Sequence, residues 1–197
     1  MTIPTIRTTW QRPSRDPNTN RRGVLGGIGL HSYHAGMRTT TATIALLACS
    51  APLMGQGLFG AQQVISTNAD GAFSVYAADV DGDGDIDVLS ASFADDKIAW
   101  YENTDGQGSF GAQQVISTNA DNCRDVFAAD IDGDGDVDVL SASLADDKIA
   151  WYENTDGLGT FGAQQIISTN ADGAWSVYAA DVDGDGDIDV LLSLIHI

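Results

Sequence analysis

Aspartate and glycine alternate in a nine-residue stretch whose spacing suits a metal ion. The stretch runs from Asp79 to Asp87, and its Asp and Gly positions recur from Asp130 and from Asp181, 51 residues apart each time. Aspartates at loop positions 1, 3, 5 and 9 can place four carboxylates around one point, and the backbone carbonyl at position 7 can add a fifth oxygen. Glycines at positions 4 and 6 permit the tight turn. Hard, highly charged oxygen ligands favour calcium over magnesium, which requires a small octahedral shell.

The predicted ligands occupy the same loop positions in all three copies. They are Asp79, Asp81, Asp83, Asp85 and Asp87; Asp130, Asp132, Asp134, Asp136 and Asp138; and Asp181, Asp183, Asp185, Asp187 and Asp189. An EF-hand would need a glutamate at position 12 and a helix on each side. Position 12 is Ser90, Ser141 and Leu192, and the short flanks rich in β-branched and aromatic residues read as strands. The loop is therefore expected to join two strands.

Each repeat can be divided into four short strands separated by turn residues. In the first copy they are predicted at residues 73–79, 87–92, 97–103 and 111–118. Residues 58–68 read as a fourth strand that lacks its own blade and its partner. Four antiparallel strands in a period of this length are typical of a propeller blade.

These residues carry a family resemblance. Phe59-Gly60-Ala61, the Ala-Ala-Asp-Val-Asp-Gly-Asp-Gly-Asp-Ile-Asp-Val-Leu run and the 51-residue period resemble FG-GAP/VCBS repeats over residues 58–191. The resemblance implies an all-β fold, a partial β-propeller of tandem four-stranded antiparallel blades like those of integrin α-subunit heads. It also implies calcium in the loop between the first two strands of each blade. The chain holds fewer than three such blades, whereas complete propellers close with four to eight.

Paired aromatic residues recur at Trp100-Tyr101 and Trp151-Tyr152. A carbohydrate-stacking site is one interpretation, but aromatic residues at a fixed register more often pack one blade on the next. Because neighbouring strand residues point to opposite faces, one ring type is expected to be buried and the other to lie nearer solvent.

Charge is divided unevenly along the chain. Residues 1–38 carry six Arg and one Asp, whereas residues 39–197 carry three basic and 27 acidic residues, a net charge of −24. A surface this acidic repels nucleic acid and anionic membranes. Fifteen of the 27 acids lie in the three loops, so metal binding explains the excess better than a solvated acidic surface does.

The segments outside the repeats are interpreted separately. Residues 1–36 have no hydrophobic period and read as disordered or as mistranslated upstream sequence, and residues 37–57 read as a secretory signal peptide too short to span a membrane. Cys49 follows a weak lipobox-like run, which leaves a lipid anchor open. Residues 192–197 resemble a translated sequencing adaptor. Cys123 is expected to be a half-buried structural residue rather than a reactive thiol.

The residues favour binding over catalysis. His31, His34 and His196 lie outside the repeats, so no histidine base or Ser-His pair is available within them. The acidic residues Asp95, Asp96 and Glu102 recur in the second repeat as Asp146, Asp147 and Glu153, whereas a catalytic dyad needs one asymmetric pocket. We therefore expect a secreted or surface-bound module that recognises a protein or carbohydrate, with structural calcium. The alternative is the scaffold of a larger secreted hydrolase or lyase.

Overall fold

The computed structural model describes residues 44–46 and 60–195, and the regular structure there is entirely β, which confirms the predicted class. The strands are β1 (Ile44–Leu46), β2 (Gln63–Ser66), β3 (Ala72–Ala78), β4 (Asp87–Ser92), β5 (Lys97–Tyr101), β6 (Gln114–Ser117), β7 (Cys123–Ala129), β8 (Asp138–Ser143), β9 (Lys148–Tyr152), β10 (Gln165–Ser168), β11 (Ala174–Ala180) and β12 (Asp189–Leu194). Over these ranges, no helix is long and hydrophobic enough to cross a bilayer.

The sheets repeat one antiparallel design. Strands β3-β4-β5-β6 form the first blade, β7-β8-β9-β10 form the second, and β11-β12 form a half-blade. The register repeats as well, since Tyr76 pairs with Leu89 and Phe127 pairs with Leu140. The structure therefore confirms a partial array of propeller-type blades.

The predicted strand limits need small corrections. The first strand begins one residue earlier than expected, and the fourth is limited to Gln114–Ser117. The third strand ends at Tyr101 because the backbone N–H of Asn103 donates to the Asp87 side chain, and Asn103 forms only an isolated bridge with Phe110. The acidic loop between β3 and β4 thus determines where β5 ends.

The segments that flank the blades differ partly from expectation. Strand β2 is not unpaired, because it pairs with β1, which lies inside the predicted signal peptide. Residues 1–36, Cys49 and the rest of the 37–57 segment lie outside the described residues. Strand β12 runs through Leu194 and pairs with β11 in the register that β4 uses with β3, so part of the 192–197 segment extends the sheet. The origin of that segment stays a prediction.

The blades pack face to face. Leu89, Ile98 and Trp100 of the first blade share a buried cluster with Val126 and Tyr152 of the second. A second cluster joins the second blade to the half-blade. Burial of apolar surface between sheets stabilises the array by roughly 25 cal/mol per Å² removed from water.

The expected alternation of Trp and Tyr is wrong in the first repeat. Trp100 is 2% exposed and Tyr101 is fully buried. Trp100 packs against the second blade, whereas Tyr101 joins Ala69 and Ile65 on the other face of the sheet. In the second repeat Tyr152 is buried and Trp151 is half-buried. The rings serve packing, as predicted, and both faces of a stacked sheet are covered.

The first strands of the blades lie side by side, with β7 between β3 and β11. Residues 51 positions apart therefore become neighbours. Tyr76, Phe127 and Tyr178 stack in a row, with ring centroids 4.7 Å and 4.6 Å apart. We call these three strands the inner strands.

Candidate metal centres

The acidic loops connect the first strand to the second in each blade, as predicted. Gly82 and Gly84 have φ angles of 72° and 94°, in the left-handed region that favours glycine. Their counterparts in the other two loops have similar angles. The glycine spacing noted in the sequence therefore reflects a backbone requirement.

Three carboxylates of each loop converge on one point. At loop positions 1, 3 and 9, each side chain offers an oxygen that lies within 4.8 Å of the other two. The clusters are Asp79, Asp81 and Asp87; Asp130, Asp132 and Asp138; and Asp181, Asp183 and Asp189. Such a cluster supplies only hard oxygen ligands, the donor set that calcium prefers.

The carboxylate at position 9 anchors each loop to its blade. Asp87 is buried, and its Oδ2 accepts from the Val80 N–H at 2.9 Å while its Oδ1 accepts from the Asn103 N–H at 2.7 Å. Asp138 makes the equivalent bonds to Ile131 and Asn154. Burial raises the pKa of both Asp87 and Asp138 despite these hydrogen bonds. A cation beside them would offset that cost.

In the first loop the carboxylate at position 1 has an oxygen without a partner, whereas both oxygens of Asp130 and of Asp181 accept from backbone N–H groups. Oδ2 of Asp79 accepts from the Gly84 N–H at 3.0 Å, but its Oδ1 is buried without a hydrogen-bond partner. A buried carboxylate oxygen left unpaired is costly unless a cation or donor meets it. This orphaned oxygen fits a metal ion at the centre of the loop.

Positions 5 and 7 lie outside the three-carboxylate clusters. Oδ1 of Asp83 accepts from the Asp85 N–H at 2.8 Å. In the other two loops, Oδ1 of Asp134 accepts from the Asp136 N–H and Oδ1 of Asp185 accepts from the Asp187 N–H. The side chain of Asp85 lies against Gly106 in the β5–β6 turn, and that of Asp136 lies against Gly157. Position 7 would therefore contribute its backbone carbonyl, as the sequence analysis predicts, and position 5 stays a predicted ligand.

The second blade supports the loop of the first. The side-chain amide of Asn154, which is fully buried, donates to the Val80 carbonyl at 2.9 Å. The same amide donates to the Val137 carbonyl of its own blade at 3.3 Å. Sequence analysis missed Asn154, although its recurrence as Asn103 in the first repeat was a usable signal.

The three loops differ in exposure. Asp181 and Asp183 are exposed and Asp189 is only half-buried, whereas Asp87 and Asp138 are buried. Oδ2 of Asp189 accepts from the Val182 N–H at 3.1 Å. Within residues 60–195, no backbone N–H like that of Asn103 meets its other oxygen. The third loop is therefore the least constrained.

Protons and calcium should compete for these loops. Burial raises the pKa of Asp81, Asp87 and Asp138, so protonation begins at a higher pH than for an exposed aspartate. We expect calcium affinity, measured by titration calorimetry, to fall as the pH is lowered from about 7 to about 5.

The stability of the calcium-free chain should move in the opposite direction. A carboxyl whose pKa is raised by folding stabilises the protein while it is protonated, and this contribution is lost as the pH rises through the folded-state pKa. Melting in calcium-depleted buffer should therefore occur at a higher temperature on the acidic side of this range. For the first of these two measurements, a calcium affinity that stays constant between about pH 7 and about pH 5 would contradict the assignment of these carboxylates as ligands.

Cys123 is more buried than predicted. Its side chain is fully buried in the cluster between the two blades, and burial raises the pKa of the thiol to about 12. A thiol with so little thiolate at neutral pH is a poor nucleophile. The structure supports a packing role, and the residue is fully rather than half buried.

Stacked four-stranded blades with an acidic loop after each inner strand define this chain as a propeller-type repeat protein. Residues 79–141 and 132–192 match the model of the FG-GAP-like repeat family. The two matches together span more than half of the chain, which therefore belongs to the FG-GAP-like repeat family. No curated protein matches the sequence significantly.

Solved structures that are similar to this chain include the following two proteins. One is an Agrocybe aegerita lectin that specifically recognises non-reducing terminal N-acetylglucosamine; it is 20% identical, with a TM-score of 0.43, and the match covers 60% of this chain and 32% of the lectin. The other is the V. cholerae biofilm matrix protein Bap1; it is 30% identical, with a TM-score of 0.40, and the match covers 66% of this chain and 18% of Bap1. The chain thus spans about a third or less of either protein.

Proposed function

We propose that this chain is a calcium-binding propeller module that recognises a protein or carbohydrate outside the cell. The observation that carries the proposal is the convergence of three carboxylates in each acidic loop, with Oδ1 of Asp79 buried and unpaired. Side chains at positions 1, 3, 5 and 9, with the carbonyl at position 7, would hold each ion. Sites of this kind in extracellular modules typically bind calcium with Kd of about 10⁻⁴ to 10⁻³ M.

The calcium in this proposal is structural. Each loop places five aspartates in nine residues, and their mutual repulsion opposes closure of the loop between the first two strands. A bound cation would neutralise that repulsion and would hold the inner strand against its neighbour. The proposed role is non-catalytic, because each acidic cluster recurs once per blade and has no distinct partner group for acid-base chemistry.

Calcium titration tests the proposal directly. We expect titration calorimetry to detect one ion for each of the three acidic clusters, and Asp81→Ala and Asp132→Ala to lose one ion each. Asp121→Ala is the matched control, because it removes the same charge from an exposed position outside the loops. Unchanged stoichiometry in both loop variants would reject the ligand assignment.

Thermal unfolding gives a second measure of the same sites. At calcium 10 to 100 times Kd, each loop should stabilise the fold by about 1.4 to 2.7 kcal/mol. The melting temperature should therefore rise by several degrees in calcium relative to chelator, and by much less in magnesium. Equal melting in all three solutions would contradict structural calcium.

A further inference from the structure

We propose that Arg124 and the aromatic rings around it form a binding site for the carboxylate of an acidic sugar. The inference deepens the proposed recognition role and rests on it. Arg124 lies at the start of β7, at the end of the inner strand away from the acidic loop. The site therefore occupies the opposite end of the blades from the candidate metal centres.

The second repeat departs from its neighbours at this point. Asn122, Cys123, Arg124 and Asp125 stand where the first repeat has Gly71, Ala72, Phe73 and Ser74 and the third has Gly173, Ala174, Trp175 and Ser176. The arginine thus replaces an aromatic residue whose counterparts flank it in space. The guanidinium carbon lies 4.6 Å from the ring centre of Phe73, 5.3 Å from that of Trp175 and 5.0 Å from that of Phe93.

The three rings lie against the guanidinium, and none of the described residues accepts a hydrogen bond from its N–H groups. Nε of Arg124 is buried and has no hydrogen-bond partner. The neighbouring carboxylate of Asp125 points to the other side of the strand, where it accepts from the hydroxyls of Ser74 and Ser176. Burial lowers the pKa of Arg124, but the group stays charged at neutral pH.

Unlike Arg124, the other two cationic side chains within residues 60–195 each have a carboxylate partner. Nζ of Lys97 lies 2.7 Å from a carboxylate oxygen of Asp95, and Nζ of Lys148 lies 2.6 Å from one of Asp146. Each lysine also donates to a backbone carbonyl. Within residues 60–195, Arg124 is therefore the cation for which the described residues supply no carboxylate partner.

The negative net charge of the chain indicates which kind of anion fits Arg124 better. A planar guanidinium with free N–H groups matches a carboxylate or a phosphate. The net charge of −24 over residues 39–197 penalises a doubly charged phosphate more than a singly charged carboxylate. A single carboxylate on an otherwise neutral ligand is the better fit.

The surroundings favour a sugar over a peptide. Phe73 is 44% exposed and Phe93 is 39% exposed, so flat apolar surfaces stand beside the cation. A hexuronate carries its carboxylate directly on the ring, so one face of the sugar can lie on an aromatic ring while the carboxylate meets Arg124. The nearby carbonyls of Gly71 and Asn122 already accept from the N–H groups of Phe93 and Leu144. These two carbonyls are therefore not free to pair with a peptide strand.

Glucuronate titration of the full chain tests the site, with calcium present and ionic strength held constant. We expect glucuronate to shift the NMR signals of the Trp175 indole and the Arg124 side chain, with glucose and N-acetyl-aspartate amide binding at least tenfold more weakly. Arg124→Gln should weaken glucuronate binding at least tenfold. Lys148→Gln is the matched control, since it removes a cation that is already paired, and it should leave binding unchanged.

Each outcome decides the proposal. If Arg124→Gln fails to fold, Arg124→Lys replaces it in the experiment. Lysine keeps a positive charge beside the aromatic rings but lacks the planar guanidinium, so this variant should bind glucuronate several-fold more weakly. Equal binding by either folded variant and the native chain, or no glucuronate binding by the native chain, would overturn the site. Tighter binding of N-acetyl-aspartate amide would overturn its assignment to a sugar. Calcium titration of the same samples separates this result from failure of the metal-binding loops.

Discussion

Replacing Asn154 by alanine is expected to lower the free energy of unfolding by about 2 to 4 kcal/mol. Its amide donates to the carbonyls of Val80 and Val137, and its Oδ1 accepts from the Gly159 N–H at 3.1 Å. Alanine would leave these backbone groups without their partner in a fully buried position. Buried polar groups that lose their partner carry the full cost of their desolvation.

Asn103→Ala is the matched control for this prediction. Asn103 makes the same bonds within its own blade, to the Ile86 carbonyl at 3.1 Å and from the Gly108 N–H at 3.0 Å. Across the described residues it has no counterpart of the bond to Val80. Urea unfolding in calcium should therefore show that Asn154→Ala costs about 1 kcal/mol more than Asn103→Ala. Equal losses would show that the bond between blades contributes nothing.

Asp125→Ala is the second substitution expected to have a large effect, about 2 to 4 kcal/mol of unfolding free energy. One oxygen accepts from the Ser74 hydroxyl at 2.7 Å and from the Val126 N–H at 3.1 Å. The other accepts from the Ser176 hydroxyl at 2.6 Å and from the Val177 N–H at 3.1 Å. A single carboxylate thus ties all three inner strands together, and its loss should loosen the packing of the second blade on both the first blade and the half-blade.

A double-mutant cycle tests this arrangement. Ser176→Ala alone should cost about 1 kcal/mol, because it removes one hydrogen bond to a partly buried carboxylate. In the Asp125→Ala background the same change should cost almost nothing, since its partner is already gone. Unfolding in urea measures both values. Additive losses would contradict a direct bond between the two side chains.

Local structure was largely predictable from the sequence. The loop glycines, the strand-loop-strand unit and the four-stranded blade all follow from spacing that recurs three times. Each of these features depends on contacts close in sequence, such as the Gly84 N–H donating to Asp79 five residues before it. Because this local pattern recurs three times in the sequence, it also predicts the repeat fold of the chain.

Contacts between blades were not predictable in the same way. Trp100 was expected to alternate with Tyr101, but both are buried because a second sheet covers the face that an isolated blade would leave open. The bond from Asn154 to Val80 spans 74 residues, and no local pattern encodes it. Strand alternation describes a single sheet, whereas burial here depends on how neighbouring sheets stack.

The sequence shows that residues 122–125 differ from the equivalent residues of the other two repeats, but it does not show which residues they contact. The structure shows that Arg124 and Asp125 each contact their counterparts from the repeats on both sides. A residue whose partners lie 51 positions before and after it acquires its role only when three strands are placed together.

The contacts of Asp125 have a consequence for how the array assembles. Nearly identical repeats can exchange places or pair out of order, a common cause of misfolding in tandem arrays. Asp125 is fully hydrogen-bonded only when a serine-bearing strand lies on each side, so an exchange of the first two repeats would leave the carboxylate with one such neighbour. A polar group that is satisfied in a single arrangement can specify that arrangement. Among the three described inner strands, Asp125 therefore favours the order in which its own strand lies between the two strands that carry Ser74 and Ser176.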